Sequence, residues 1–269
     1  MTRNSATDIT VSLEGKLSMT DWDSGMTLEP TTESSPSSRG QEVFRIDRLT
    51  SGYGDLAAVR DVSLHVMAGE MVALFGPNGA GKSTTLLASV GELPQMGGTV
   101  YINGQATSKP LHRLAREGVA FVPEQRSGIS ELTTKQNLEL GRGGVAPAID
   151  AFPELIPLLD RKGGLLSGGE QQMVALARAF ASSPSLILVD ELSLGLAPMI
   201  VDRLLIALRE AATTRGLAVL LVEQQARRAL EYTDRWYLLR SGSVVSEGDS
   251  REGGEALERA YLHSGDAPH

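Results

Sequence analysis

Residues 71–84 read Met-Val-Ala-Leu-Phe-Gly-Pro-Asn-Gly-Ala-Gly-Lys-Ser-Thr, and the fold follows from them. The apolar run ending at Phe75 predicts a buried strand over 70–75. The glycines then break it, and a helix is expected from about Lys82 to Val90. A strand, a Gly-rich turn and a helix start, carrying G-x-x-x-x-G-K-[ST] from Gly76 to Ser83, describe a loop that wraps phosphate. Gly76, Gly79 and Gly81 let backbone N–H groups come close to phosphate oxygens, and the helix N-terminus adds partial positive charge. Lys82 is placed to reach the β- and γ-phosphates, and the Ser83 hydroxyl to complete a magnesium shell. Pro77, Asn78, Ala80 and Thr84 fill out the same stretch. The plain alternative is a Gly-rich turn without a ligand.

Downstream, 186–191 read Leu-Ile-Leu-Val-Asp-Glu. Four apolar residues before two acids predict a buried strand with carboxylates at its C-terminal end, where open α/β sheets bind ligands. Asp190 is expected to hold magnesium through its water shell, and Glu191 to orient and polarise the attacking water. Alone, such a strand end is as well read as merely solvated. Next to the Gly-rich loop it gains meaning.

Between the two lies Leu166-Ser-Gly-Gly-Glu-Gln-Gln172. Ser167 and Glu170 form a capping box, so Ser167 is expected to cap a helix running to about Ser182. Gly168 and Gly169 each cost that helix roughly 1 kcal/mol, and capping does not require them. They suit a site where phosphate approaches the backbone, a second anion site.

Further strands are read at 42–49, 58–66, 99–104, 118–123, 217–222, 235–240 and 243–248, the last two joined by the turn Ser241-Gly242. Helices are expected at about 198–213 and 224–231, with helix formers concentrated between Glu124 and Leu165 and running on through 148–159. Apolar strands alternating with helices imply an α/β chain whose mainly parallel sheet is covered on both faces. The stretches 42–66 and 235–247 suggest a mixed, antiparallel edge. No internal repeat is visible.

GPNGAGKST, LSGGEQQ and LILVDE at these spacings resemble the nucleotide-binding domain of ABC ATPases, over about residues 42–262. The resemblance implies a P-loop α/β fold of ABC type with an antiparallel β edge and a small helical subdomain at about 124–165, inside a domain spanning 41–269. It implies ATP and Mg2+ as cofactors. It implies a head-to-tail pair, with a second copy or a sister ATPase, in which Ser167, Gly168, Gly169 and Glu170 of one domain close over ATP on the other. Tyr53 matches the family's adenine-stacking aromatic; an ordinary edge-strand tyrosine is the alternative.

VPEQRSGISELTTKQNLELG (122–141), FPEL (152–155), SLGLAP (193–198) and LLVEQQARRAL (220–230) resemble, more narrowly, the second ATP-binding subunit of branched-chain amino-acid importers. In that group Glu124 stands where most ABC domains place a glutamine reaching magnesium and the membrane partner. Gln224 stands where most place a histidine on the γ-phosphate. A glutamine hydrogen-bonds phosphate but carries no imidazolium charge. Gln125 is the candidate for the missing amide. Leu192 departs from the family's usual proline, and a looser catalytic carboxylate with slower hydrolysis is expected there.

This resemblance implies two separate permease subunits, an extracytoplasmic solute-binding protein, and a place on the cytoplasmic face of the membrane. Residues around 124–141 are the expected permease-docking surface. Branched-chain amino acids, urea or short amides are the solutes it allows. Two other readings stay open: a regulatory, weakly hydrolysing subunit, and a non-transport ABC ATPase of DNA repair or translation.

Composition limits the rest. The 269 residues include no cysteine, which excludes a disulfide framework, Cys-ligated zinc and thiol catalysis. A formal charge of −8 argues against nucleic acid as a partner. No apolar stretch approaches a membrane span, and none near the start reads as a secretory signal. Residues 1–40 hold fifteen Ser and Thr and no persistent period, which predicts a disordered tail; initiation at Met19 or Met26 is the alternative. His65, His112, His263 and His269 lie outside every motif.

Overall fold

The computed structural model describes residues 40–125, 128–224, 226–252, 254 and 257. All but Gly40 of the expected tail at 1–40, together with His263 and His269, lies outside them. β1 (Glu42–Tyr53) and β2 (Leu56–Met67) form an antiparallel hairpin. β3 (Met71–Phe75) leads through the Gly-rich loop into α1 (Lys82–Ser89). β4 (Gln95–Ile102), β5 (Gln105–Thr107), α2 (Leu111–Leu114) and β6 (Val119–Val122) follow. Next come α3 (Thr134–Glu139), α4 (Val145–Ala151) and the long α5 (Gly168–Ala181). The chain continues as β7 (Leu186–Asp190), α6 (Pro198–Arg215), β8 (Ala218–Glu223), α7 (Ala226–Leu230), β9 (Arg235–Arg240) and β10 (Ser243–Asp249).

The main sheet has the order β10-β9-β3-β8-β7-β6. Its five strands from β9 to β6 are parallel, and β10 adds an antiparallel edge. That edge is where the sequence placed one. The first two strands differ: they belong to a separate antiparallel sheet, β2-β1-β4-β5, not to the edge of the main one. Both strands are half-buried, and their buried side chains cover one face of the main sheet. Ile46, Leu49 and Val62 share a core with Val72, Leu74 and Leu220. The alternate side chains of β3, Met71, Ala73 and Phe75, enter the opposite core with Leu176 of α5 and Leu208 of α6. A strand buried on both faces reads as continuous apolar sequence, which is why β3, β7 and β8 were legible and the second sheet was not.

The helix expected through 148–159 is broken. α4 stops at Ala151, and residues Pro153–Leu158 form a 3-10 segment. Proline at 153 lacks an N–H and pushes Phe152 out of the helical region, to φ −134°. Arg203 of α6 secures this segment: its guanidinium pairs with Glu154, donates to the Ala151 carbonyl, and lies 4.9 Å over the Phe152 ring. The Arg203 hydrogen bond holds the Glu154 carboxyl below its ordinary value. Upstream, Thr133 caps α3 in a capping box with Gln136. Buried Asn137 bonds the N–H and carbonyl of Ile129 and so shapes the loop before it.

Candidate functional site

Parallel pairing brings the expected site residues to one edge. Phe75, the last residue of β3, lies opposite Glu223 of β8, and Asp190 of β7 lies opposite Val222. The Gly-rich loop, the Asp190-Glu191 pair and Gln224 therefore leave three adjacent strands at the same C-terminal end.

The loop rises from β3 with residues 77–79 exposed and Ala80 buried. Gly79 has φ +79°, a backbone state that a side chain would strain, and a Cβ there would point into open space. The loop is tied from outside: the Ala80 carbonyl accepts from the Gly242 N–H, in the turn between β9 and β10. Gly81 is the N-cap of α1 and supplies no capping side chain. The first amides of α1 are thus not occupied by a capping side chain of their own.

Lys82 is 4% exposed. Its ammonium donates to the carbonyls of Gly76 at 2.9 Å and Pro77 at 3.2 Å, and lies 3.6 Å from Glu191 Oε1. Gln224 donates its amide N–H to the same Glu191 oxygen at 2.8 Å. The backbone N–H of Glu191 donates to the Val222 carbonyl, and Glu191 has φ +46°, uncommon for a residue with a side chain. A looser carboxylate was expected because of Leu192. Leu192 is buried in the core, and the Glu191 carboxylate lies against Gln224 and Lys82.

Asp190 is buried, accepts a hydrogen bond from Ser83, and leaves Oδ1 without a partner among the described residues. Burial raises its pKa to about 6, the Ser83 hydrogen bond opposes that, and the charges of Glu191 and Glu124 add to the rise while Lys82 opposes it. An orphaned carboxylate oxygen beside a hydroxyl and further carboxylates is a hard-oxygen environment short of positive charge, and it fits Mg2+. No cluster of three or more acidic, His or Cys side chains forms a ready-made metal cage among the described residues. That is usual for an ion that keeps its waters and leans on substrate phosphates.

The raised pKa sets a pH dependence. The folded chain holds the Asp190 proton more tightly than the unfolded chain. Stability from this residue is therefore greatest below about pH 4 and is lost as pH rises toward 6. Above that, the buried charge costs on the order of 3 kcal/mol. Asp190→Asn is expected to stabilise the protein in metal-free buffer by up to about that amount at pH 8, and by about half of it at pH 5. Urea midpoints at the two pH values check this; a gap that does not widen with pH contradicts it.

Ser167 caps α5 as expected. Its Oγ accepts from the Glu170 N–H at 3.3 Å, and its own N–H donates to Glu170 Oε2 at 2.6 Å. Ser167 is exposed and Gly168 partly so. Gly169 is different. It is buried, and a Cβ there would lie 2.8 Å from the Ile200 side chain of α6. Close packing between α5 and α6 thus requires this glycine, a reason the sequence reading, which assigned it to phosphate, did not find. Among the described residues no hydrogen bond joins 167–170 to 76–84.

Tyr53 ends β1 and is 58% exposed. Glu124 and Gln125 are exposed and border a cavity of about 420 Å3 with Glu191 and Gln172. Gln172 is buried, and its Nε2 has no partner among the described residues. His65 lies beside the Tyr237 hydroxyl, away from these residues, and His112 is exposed. The sequence reading missed Glu223, which is 2% exposed. It accepts from Ser193 N–H at 2.9 Å and Ser193 Oγ at 2.6 Å, while burial raises its pKa. An acid closing the apolar run of β8, as Asp190 closes β7, was the available signal.

Residues 59–193 match the family model described as ABC transporter. The chain is 38% identical over 213 residues to the high-affinity branched-chain amino acid transport ATP-binding protein BraG of Pseudomonas aeruginosa, covering 76% of this chain and 91% of that protein. It is 32% identical over 235 residues to the lipopolysaccharide export system ATP-binding protein LptB of Haemophilus influenzae, covering 82% and 97%. Among solved structures, it is similar to the ATP-binding cassette MJ0796 in a dimeric post-hydrolysis state with ADP and phosphate. There the TM-score is 0.69 at 28% identity, over 77% of this chain and 99% of that one.

Proposed function

The chain belongs to the ABC transporter family and is an ATP-hydrolysing subunit of a transporter, and from that premise we propose that it energises import of branched-chain amino acids or a related small polar solute. The match to BraG carries the choice of cargo, supported by Glu124 and Gln224 at the two positions where the importer subfamily differs from most ABC domains. The match to LptB favours lipopolysaccharide export as the second reading.

In this reading Tyr53 stacks on adenine and residues 76–84 surround the phosphates. Lys82 trades its contact with Glu191 for the β- and γ-phosphate oxygens, which leaves Glu191 charged and oriented by Gln224. Glu191 then takes the proton of the attacking water, and Gln224 steadies the developing charge as a neutral donor. Ser83 and Asp190, with Glu124 nearby, would hold Mg2+, which when bound neutralises phosphate charge. Because phosphoryl transfer is mainly positioning and charge compensation, these few groups suffice.

Ser167, Gly168, Gly169 and Glu170 serve the ATP of a second domain, either a copy of this chain or a sister subunit. Exposed apolar side chains beside that segment, Leu165 at 63% and Met199 at 81%, suit such a junction. No helix among the described residues is long and apolar enough to cross a membrane; in this reading the transport path belongs to two permease subunits, on whose cytoplasmic face this chain sits. An extracytoplasmic solute-binding protein delivers the cargo. Residues around 124–141 dock on the permease in this reading, and exposed Ile129 and Leu140 suit that role. Domain limits of 41–269, with a helical subdomain at 124–165, go with this assignment.

Reconstitution with its permeases and binding protein in proteoliposomes tests the cargo. Labelled leucine is expected to accumulate only with ATP and to raise the ATPase rate several-fold. Stimulation by lipopolysaccharide without leucine uptake selects the second reading.

A further inference from the structure

Glu191 must hold its carboxylate still although its backbone sits at φ +46° and the next residue, Leu192, is an ordinary side chain in the core. The contacts that do this come from three consecutive residues of β8 and its end. Val222 supplies a carbonyl to the Glu191 N–H at 3.0 Å. Gln224 supplies an amide to the Glu191 carboxylate at 2.8 Å. Between them, Glu223 turns the other way and takes both donors of Ser193, the backbone N–H on Oε1 and the hydroxyl on Oε2. Residues 191 and 193 are thereby gripped on both sides of Leu192.

We infer that Glu223 is a positioning residue for hydrolysis, a clasp that fixes Ser193 and through it the conformation in which Glu191 faces the attacking water. The inference rests on the reading of Glu191 as the group that acts on that water. A buried carboxylate is costly to keep, and here its oxygens accept both donors of Ser193 and also the backbone N–H of Gln224. General packing does not require that: a leucine would fill the end of an otherwise apolar strand. The serine, moreover, opens the loop Ser193-Leu194-Gly195, which borders a small cavity of about 90 Å3 with Glu191, Glu223 and Gln224. Released from the carboxylate, this loop has room to shift, and Glu191 would shift with it. Among the described residues no side-chain hydrogen bond joins Glu223 to the phosphate loop, so its effect belongs in turnover and not in nucleotide affinity.

The test uses the full chain, with Glu223→Gln, Ser193→Ala, the double variant and Glu191→Gln measured together. For each, kcat and KM for ATP, the affinity for a fluorescent ATP analogue and the thermal midpoint are recorded. Glu223→Gln keeps one acceptor of the two and is expected to lower kcat about tenfold, with analogue affinity within twofold of the parent. Ser193→Ala removes the hydroxyl donor, keeps the backbone N–H and leaves the carboxylate in place. It is expected to lower kcat several-fold, and the double variant to be no slower than Glu223→Gln, because the two act through one contact. Parent-like kcat in both single variants overturns the clasp, as does a double variant whose loss is the product of the singles. If Glu223→Gln fails to fold, Ser193→Ala decides alone by the same split of kcat from affinity. Loss of turnover in Glu191→Gln with parent-like Glu223→Gln and Ser193→Ala sinks the clasp only; normal turnover in Glu191→Gln sinks both readings.

Discussion

Glu191→Gln is expected to reduce steady-state ATP hydrolysis by at least about a hundredfold while ATP still binds with parent affinity. The size follows from what a positioned base contributes, on the order of 10²–10⁴-fold. The direction follows from the geometry. Glutamine has the same shape and can still accept the Gln224 amide that now reaches Glu191 Oε1. What it lacks is the charge that takes a proton from water and that now faces Lys82 at 3.6 Å. The loop carbonyls that hold Lys82 are untouched, so the phosphate cradle persists. Phosphate release and a nucleotide titration on the same preparation separate the two effects. A variant that hydrolyses at the parent rate removes Glu191 from the role of base.

Lys82→Ala acts one step earlier, on binding itself. Charge-assisted hydrogen bonds contribute roughly 1.5–3 kcal/mol each. The loss is expected to weaken ATP affinity about 10- to 100-fold. A second consequence distinguishes this from simple damage. Lys82 is the cation that opposes the rise in the Asp190 pKa, so its removal pushes that pKa higher still. Binding in the variant should therefore fall off at a higher pH than in the parent. A titration showing unchanged affinity defeats the phosphate-loop assignment.

Much of this site was legible before any coordinates. Gly76, Lys82, Ser83, Asp190 and Glu191 announced themselves because their chemistry sits at the ends of strands buried on both faces, where apolar runs stop abruptly. The capping box of Ser167 and Glu170 is likewise local, spanning a single turn, and came out as read. What was hidden depends on partners far apart in the chain. The need for glycine at 169 comes from Ile200, and the role argued for Glu223 comes from Ser193, thirty residues earlier. The second sheet was missed because β1 and β2 alternate as any half-buried hairpin does, and alternation does not say which sheet receives it. The break after α4 was local and readable; Pro153 and Pro157 were present in the very stretch taken as helical.

The place of β3 in the main sheet has one more consequence, for the order in which the molecule can be made. The strand that launches the phosphate loop pairs with β8 on one side and β9 on the other, residues 218–223 and 235–240. The turn that holds Ala80 is Gly242, later still. A chain emerging from the ribosome therefore carries its most recognisable motif early, while the strands that flank β3 and the turn that holds Ala80 come only at residues 218–242. Both neighbours of β3 are contacts of long sequence separation, the slow kind to form. Nucleotide capture thus waits for β8, β9 and Gly242, and a product truncated before β9 keeps the loop's sequence without one of the two strands that fix its shape.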